Sequence, residues 1–181
     1  MSQSINDFKG KFFGGTRKNR FKLSGAFPGG AWNEFLVSAA ALPQASVLTN
    51  VFDHRGRKLL IPGDRIYGSQ PGGTSWTVVV LDDNNQNDNK LWRDLHAWSS
   101  NINGHESNTG TQVSANSYKA QSWTIEQLNV NCEAIPGSRK INLVGCWPFM
   151  VGPIDLNMAA NDEYVTFECT FVFDYYTVDG I

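Results

Sequence analysis

The sequence predicts a mainly β domain, a sandwich or barrel with one flanking α-helix and long loops, on three observations. The C-terminal stretch alternates with a period of two. Val165, Phe167, Cys169, Phe171, Phe173 and Tyr175 fall on one side of an extended chain, and Thr166, Glu168, Thr170 and Asp174 fall on the other. Ser75 to Leu81 is a short apolar run, with Trp76, Val78 and Val80 on one face and Val79 and Leu81 on the other, as a central strand requires. One segment carries a helical period: Leu91, Leu95, Trp98 and Ile102 form a single apolar stripe on a helix from Lys90 to about Ser100. A helix this short does not hold itself in water, so it must pack on a sheet.

The remaining elements follow in order. Ile5 to Phe13 is amphipathic but short, which makes residues 1–20 an N-terminal arm and 21–181 a single domain. Phe21, Leu23, Gly25 and Phe27 share the face of a first strand; Pro28, Gly29 and Gly30 turn the chain, and a second strand runs from Trp32 to about Ala39. Val47 to Phe52 and Lys58 to Ile61 read as a hairpin around Asp53 to Gly56. Pro62, Gly63, Asp64 and Arg65 suit a type II turn that closes it. Asn84 to Asn89 supplies helix N-cap residues, and Asn101 to Ser117 is polar enough to be a mobile loop. Trp123, Ile125 and the segment to Asn131 form another strand, joined by a turn at Pro136 and Gly137 to Lys140 through Cys146. Proline cannot donate to a ladder, so the sheet bends or ends at Trp147-Pro148. Val151 and Gly152 then lead to a short apolar run, Ile154, Leu156 and Met158.

Composition narrows the function. A chain of 181 residues is one ordinary domain, and a net charge of −2 lacks the basic surplus of a general nucleic-acid binder. Cys132, Cys146 and Cys169 lie in strand-like apolar surroundings without paired metal spacing and read as buried free thiols, which fits a reducing compartment. No apolar core of signal-peptide length follows Met1, and no run approaches the roughly 18 apolar residues of a membrane span, so folding in the cytosol without membrane insertion is expected. The three histidines, His54, His96 and His105, are isolated. Asp82 and Asp83 point to opposite faces of a strand end, and the Pro-Gly-Gly turns open no helix that could cradle phosphate. Neither a catalytic constellation, a metal site nor a cofactor is expected.

Charge is unevenly spread. Residues 1 to 65 hold ten basic against four acidic groups, and residues 106 to 181 hold three basic against nine acidic. A chain with a basic front and an acidic back can attract copies of itself head to tail.

Toward the C-terminus, Gly145, Trp147, Pro148, Val151, Gly152, Asp162, Glu163, Thr166, Phe167, Glu168, Thr170, Asp174 and Tyr175 stand in one order. That arrangement resembles the tail tube proteins of T-even-like contractile-tailed phages. Further elements of the same pattern are Ala41-Leu42-Pro43, Gly63-Asp64-Arg65 and Trp76-Thr77-Val78 with Val80, whereas Lys18 stands where the family often has a proline. The resemblance implies a subunit of hexameric rings stacked into the inner tube of a contractile tail, found in the virion and assembled in the host cytoplasm. It also implies partners: further copies of the chain, the sheath, a tape-measure protein, the baseplate, and DNA passing through the lumen.

On that resemblance, ring-to-ring contacts are expected at Phe12, Phe13 and Arg17 of the arm and at Arg55, Arg57 and Lys58 of the hairpin tip, facing carboxylates of the next ring. Thr166, Glu168, Thr170 and Asp174 would form a polar face toward the lumen or the sheath. The alternatives are a baseplate tube initiator or the tube of a related contractile injection system. A carbohydrate-binding β-sandwich would use exposed tryptophans, for which the patterns leave only Trp32 and Trp92.

Overall fold

The computed structural model describes residue 5, residue 106 and the stretches 17–31, 37–43, 45–67, 75–82, 91–104, 109–110, 118–135, 140–161 and 163–179. The strands are β1 (Phe21–Phe27), β2 (Gly30–Ala31), β3 (Val37–Ala40), β4 (Ala45–His54), β5 (Arg57–Tyr67), β6 (Ser75–Leu81), β7 (Ala120–Gln127), β8 (Lys140–Val151), β9 (Thr166–Val172) and β10 (Tyr175–Val178). Helix α1 (Leu91–Ile102) lies between β6 and β7. All pairings are antiparallel. One path runs β2-β1-β7-β8-β9-β6-β3, β10 adds to β8, and β4 and β5 form a separate two-stranded sheet.

Strand β8 belongs to two layers. Its first half pairs with β7 on one side, from Lys140↔Glu126 to Cys146↔Ala120, and with β10 on the other. Its second half, from Trp147 to Val151, pairs with β9, which continues to β6 and β3. The layers β1-β7-β8-β10 and β8-β9-β6-β3 face each other across an aromatic core. Trp123 of β7 meets Phe171 of β9 edge-on, with centroids 4.7 Å apart, and Trp76 of β6 at 6.3 Å. Helix α1 closes the core with Trp98, which stacks on Phe27 at 5.4 Å. Each of these indoles finds an acceptor: Trp98 Nε1 donates to Tyr118 O at 2.6 Å, Trp123 Nε1 to Ala26 O at 3.0 Å, and Trp76 Nε1 to Ala41 O. Gly25 is required beneath Trp123, because a Cβ there would collide with the indole.

The predicted helix stripe is all core. Leu91, Leu95, Trp98 and Ile102 are buried, and the helix runs two residues past Ser100. The first strand, the central strand and the alternation of Phe167, Cys169 and Phe171 also stand as read.

Five expectations are corrected. The C-terminal strand breaks at Phe173-Asp174, after which Tyr176 is buried and Tyr175 exposed. At the facing position on β8, Gly145 takes φ +72, and the buried positions change from Ile141 and Leu143 to Cys146 and Pro148. Both strands therefore shift phase together where β8 passes between layers, keeping their mutual register. Pro148 does not end the strand. It lies beyond the last residue paired with β7, beside a register shift, where ladder bonds on both sides are not demanded. Pro62-Gly63 is not a turn either: β5 runs through it, and two residues, Gly63 and Asp64, oppose Leu48 alone in a bulge that tolerates the proline. Cys132 is exposed, in a turn held by Asn129, because the β7 strand ends at Gln127 rather than near Asn131. Trp92 is half-buried against the core rather than free for a sugar. Trp32, the N-cap run 84–89, the turn at Pro136-Gly137 and most of the 101–117 loop lie outside the described residues.

Leu95→Asp should leave no folded subunit, because it places an unpaired carboxylate at a site with no solvent exposure. Trp123→Ala should lower stability by about 3–5 kcal/mol, and chemical denaturation monitored by circular dichroism measures both. An unaltered transition in Trp123→Ala would contradict the assignment of Trp123 to the centre of the core.

Candidate interaction surfaces

The β4–β5 hairpin stands apart from the main sheet. Arg55 and Gly56, both at positive φ, form the two-residue turn that matches strand twist. Directly paired residues share a face. One face carries Val51 and Leu60 with Val47 in line, and the other carries Phe52, Leu59 and Ile61 with Leu48 in line. These side chains are roughly half exposed or more, from 42% at Ile61 to 66% at Leu60. Phe52 also stacks on His54 at 6.5 Å. An isolated two-stranded ribbon is marginal in water, and one with two apolar faces is unfinished without neighbours. The predicted contact residues Arg55, Arg57 and Lys58 are all exposed at its tip. The charged tip was legible as a basic cluster. The apolar shaft was missed, because a period-two pattern with apolar residues on both faces reads as a buried strand.

A second apolar surface is the segment from Phe149 to Tyr164. Leu156, Met158 and Tyr164 are more than 80% exposed, and Phe149 and Met150 are exposed beside them. The segment is anchored at one end by Gly152 N donating to Glu168 O at 2.6 Å, and turned by Asn157 Oδ1 accepting from Ala159 N at 3.0 Å. Asp155 and Glu163 are exposed on it.

The four residues read as one polar face divide. Thr166 and Glu168 are exposed and Thr170 half-buried on the outer face of β9, where Thr170 Oγ1 lies 3.1 Å from Thr77 Oγ1 of β6. Asp174 stands apart at the strand break, over Gly145, with both carboxylate oxygens within 2.8 Å of Lys119 Nζ. Arg17 is exposed in a turn, and Phe12 and Phe13 lie outside the described residues.

The other layer has a polar outer face that sequence reading did not single out. Ser24, Ser122, Thr124 and Asn142 alternate with the core positions of their strands. Thr124 Oγ1 donates to Asn142 Oδ1 at 3.0 Å, and Asn142 Nδ2 donates to Asp179 Oδ1 at 2.9 Å. Lys140 Nζ pairs with Asp179 at 3.0 Å; the bond holds the Asp179 carboxyl below its ordinary range and the Lys140 ammonium above its own. The clasp is therefore intact at neutral pH. It is lost as acid protonates Asp179 or as strong base deprotonates Lys140. Among the described residues the layer ends in two strand edges, β1 from Phe21 to Gly25 and β10.

Among the described residues no group of three or more His, Cys, Asp or Glu could hold a metal ion. A groove of about 220 Å³ is lined by the apolar Phe21, Ala40, Leu42 and Ile125 together with Lys18, Glu126 and Gln127. Burial pushes the thiols of Cys146 and Cys169 up to about 12.

A model of the family described as phage tail tube protein matches residues 18–179. The tail tube protein gp19 of Enterobacteria phage T4 is 28% identical over 160 residues, 88% of this chain and 90% of that one. The tail tube protein of Serratia phage KSP90 is 27% identical over 177 residues, 92% of each. Among solved structures, a chain of the sheath–tube complex of the extracellular contractile injection system PVC superposes with a TM-score of 0.64 at 15% identity, covering 99% of this chain and all of that one. A chain of the anti-feeding prophage baseplate superposes at 0.62 with 10% identity, covering 92% and 96%. These two share the fold.

A thiol reagent at about pH 8 should modify one cysteine per native chain, Cys132, and all three only after unfolding, since the other two are buried and resist deprotonation. Rapid reaction of two or three thiols in the native protein would overturn this placement.

Proposed function

The chain belongs to the phage tail tube protein family, and on that premise we propose how its surfaces build the tube. It is a structural subunit of a tail tube and a virion component, not an enzyme. The carrying observation is the β1-β7-β8-β10 layer, which among the described residues ends in two strand edges and has a polar outer face. Exposed edges invite pairing with another chain and are a hazard unless something covers them. Neighbours pair the β10 edge of one copy with the β1 edge of the next, and six copies close a ring, as the family resemblance implies. The polar face of that layer, Ser24, Ser122, Thr124 and Asn142, then lines the lumen. Thr166, Glu168 and Thr170 on the opposite layer face outward to the sheath, while Asp174 serves the strand junction.

Rings stack through the hairpin tip, Arg55, Arg57 and Lys58, and through the arm with Phe12, Phe13 and Arg17. The baseplate and a tape-measure protein are further partners, and DNA is the transient cargo. The two phage relatives, near 28% identity, support a genome-carrying tail over a tube from an injection system, where the matches are 16% identical or less.

Electron microscopy of the purified protein should show six-fold rings and tubes, and monodisperse single subunits at all concentrations would defeat the reading. Exposed ion pairs contribute only about 0–1 kcal/mol each, but they repeat around every ring. Arg55→Glu with Lys58→Glu should therefore keep a native circular dichroism spectrum while long tubes disappear, and wild-type polymerisation by this variant would remove the tip from the stacking contact. A lumen free of surplus cations avoids counterion-release binding to passing phosphates. Ser24→Lys with Ser122→Lys should thus leave tubes intact but slow genome ejection at low salt. Ejection at the wild-type rate would place this face elsewhere.

A further inference from the structure

Among the described residues, the exposed apolar side chains of the β4–β5 hairpin and those of Leu156, Met158 and Tyr164 belong to segments that leave β6 and β9 at opposite ends. β6 and β9 pair from Ser75↔Val172 to Leu81↔Thr166. The hairpin is rooted at the Ser75 end, since the chain passes from β5 into β6 there. From Gly152 to Tyr164 the second segment runs toward the other end, since it connects Val151 of β8, level with Cys169, to Thr166 of β9; Phe149 and Met150 stand nearer the Ser75 end, level with Phe171 and Thr170. Seven residues of strand separate these ends by about 20 Å. Within the single chain neither surface covers the other: Phe52, Leu59 and Leu60 on the hairpin and Leu156, Met158 and Tyr164 on the other segment are all exposed.

Their charges are complementary. The hairpin tip carries Arg55, Arg57 and Lys58 against Asp53 alone. The other surface carries Asp155 and Glu163, and from Ile141 to Ile181 the sequence has no lysine or arginine. Apolar matter is matched as well: Phe52, Leu59 and Leu60 on one side, Leu156, Met158 and Tyr164 on the other.

Resting on the tube-subunit reading, we propose that the acceptor for the β4–β5 hairpin is the Phe149–Tyr164 segment of a second copy in the adjacent ring. The apolar shaft lies on Leu156, Met158 and Tyr164, and the basic tip reaches Asp155 and Glu163. The contact joins two different patches of identical chains and does not close on itself, so it propagates along an axis. It also accounts for the acidic surplus of the C-terminal part by giving it a specific place. A hairpin with two apolar faces has a second face left after this docking, which remains available to a further neighbour.

Cross-linking in the assembled tube tests the pairing directly. In a Cys132→Ser background, Phe52→Cys and Leu60→Cys, one on each face of the ribbon, are each combined with Met158→Cys and oxidised after assembly. Cys146 and Cys169 are buried and do not interfere. A ladder of covalent multimers is expected from at least one combination, and none from the single-cysteine chains. Assembled tubes that give no ladder from either combination overturn the proposal. As a second measurement, Leu156→Asp with Met158→Asp changes side chains that are 84% and 104% exposed, so the subunit stays folded; tubes longer than one ring are expected to be lost. Wild-type tube lengths from that variant would equally overturn it. If the wild-type chain itself forms neither rings nor tubes, the tube-subunit reading fails first, which separates the two failures.

Discussion

The edge of the Trp123 indole against the Phe171 ring is the contact on which the rest of the structure hangs. It joins the two layers, and Trp76 and Trp98 pack around it from β6 and from the helix. Every indole in this cluster also ties down a backbone carbonyl through its N–H, at Ala26 near the end of β1, at Ala41 just after β3 and at Tyr118 just before β7. Apolar burial and loop placement are thus one event. The strand ends that frame the outer surfaces inherit their positions from a core that assembles within the single chain.

How much of this was legible follows from the range of the signals. The helix stripe from Leu91 to Ile102 and the alternation from Phe167 to Phe171 are local periodicities, and local periodicity survives folding when one face meets one core. The phase shift at Gly145 and Asp174 is not local. It exists because two strands turn from one layer into the other at the same pair, and each sequence alone shows only an alternation that continues. Tyr175 was placed inside for that reason. Pro62 was read as a turn because a bulge is a property of two strands together, with Leu48 opposite Gly63 and Asp64.

The candidate surfaces divide in the same way. The basic tip at Arg55, Arg57 and Lys58 could be read from residue types, because charges on a turn are exposed in nearly any fold. The apolar shaft and the 149–164 segment could not, because Val51, Phe52, Leu60, Leu156 and Met158 look like core in a sequence. Only the structure shows that the core is already complete without them. Leftover apolar residues in a subunit with a full core are the signature of a molecule whose folding continues into its assembly.

The separate two-stranded sheet has a kinetic consequence. A free subunit must order a ribbon that gains little from its own body, so in the proposed contact the first docking between rings would bear that conformational cost, while later additions would meet acceptors already held in place. Growth from an existing end is therefore much faster than the creation of a new end. A pool of subunits can stay dispersed at concentrations where a seeded tube lengthens, and turbidity should show a lag that preformed ends abolish. A tail built this way starts only where a template presents the first acceptor surface, which ties the number of tubes to the number of templates rather than to the amount of subunit.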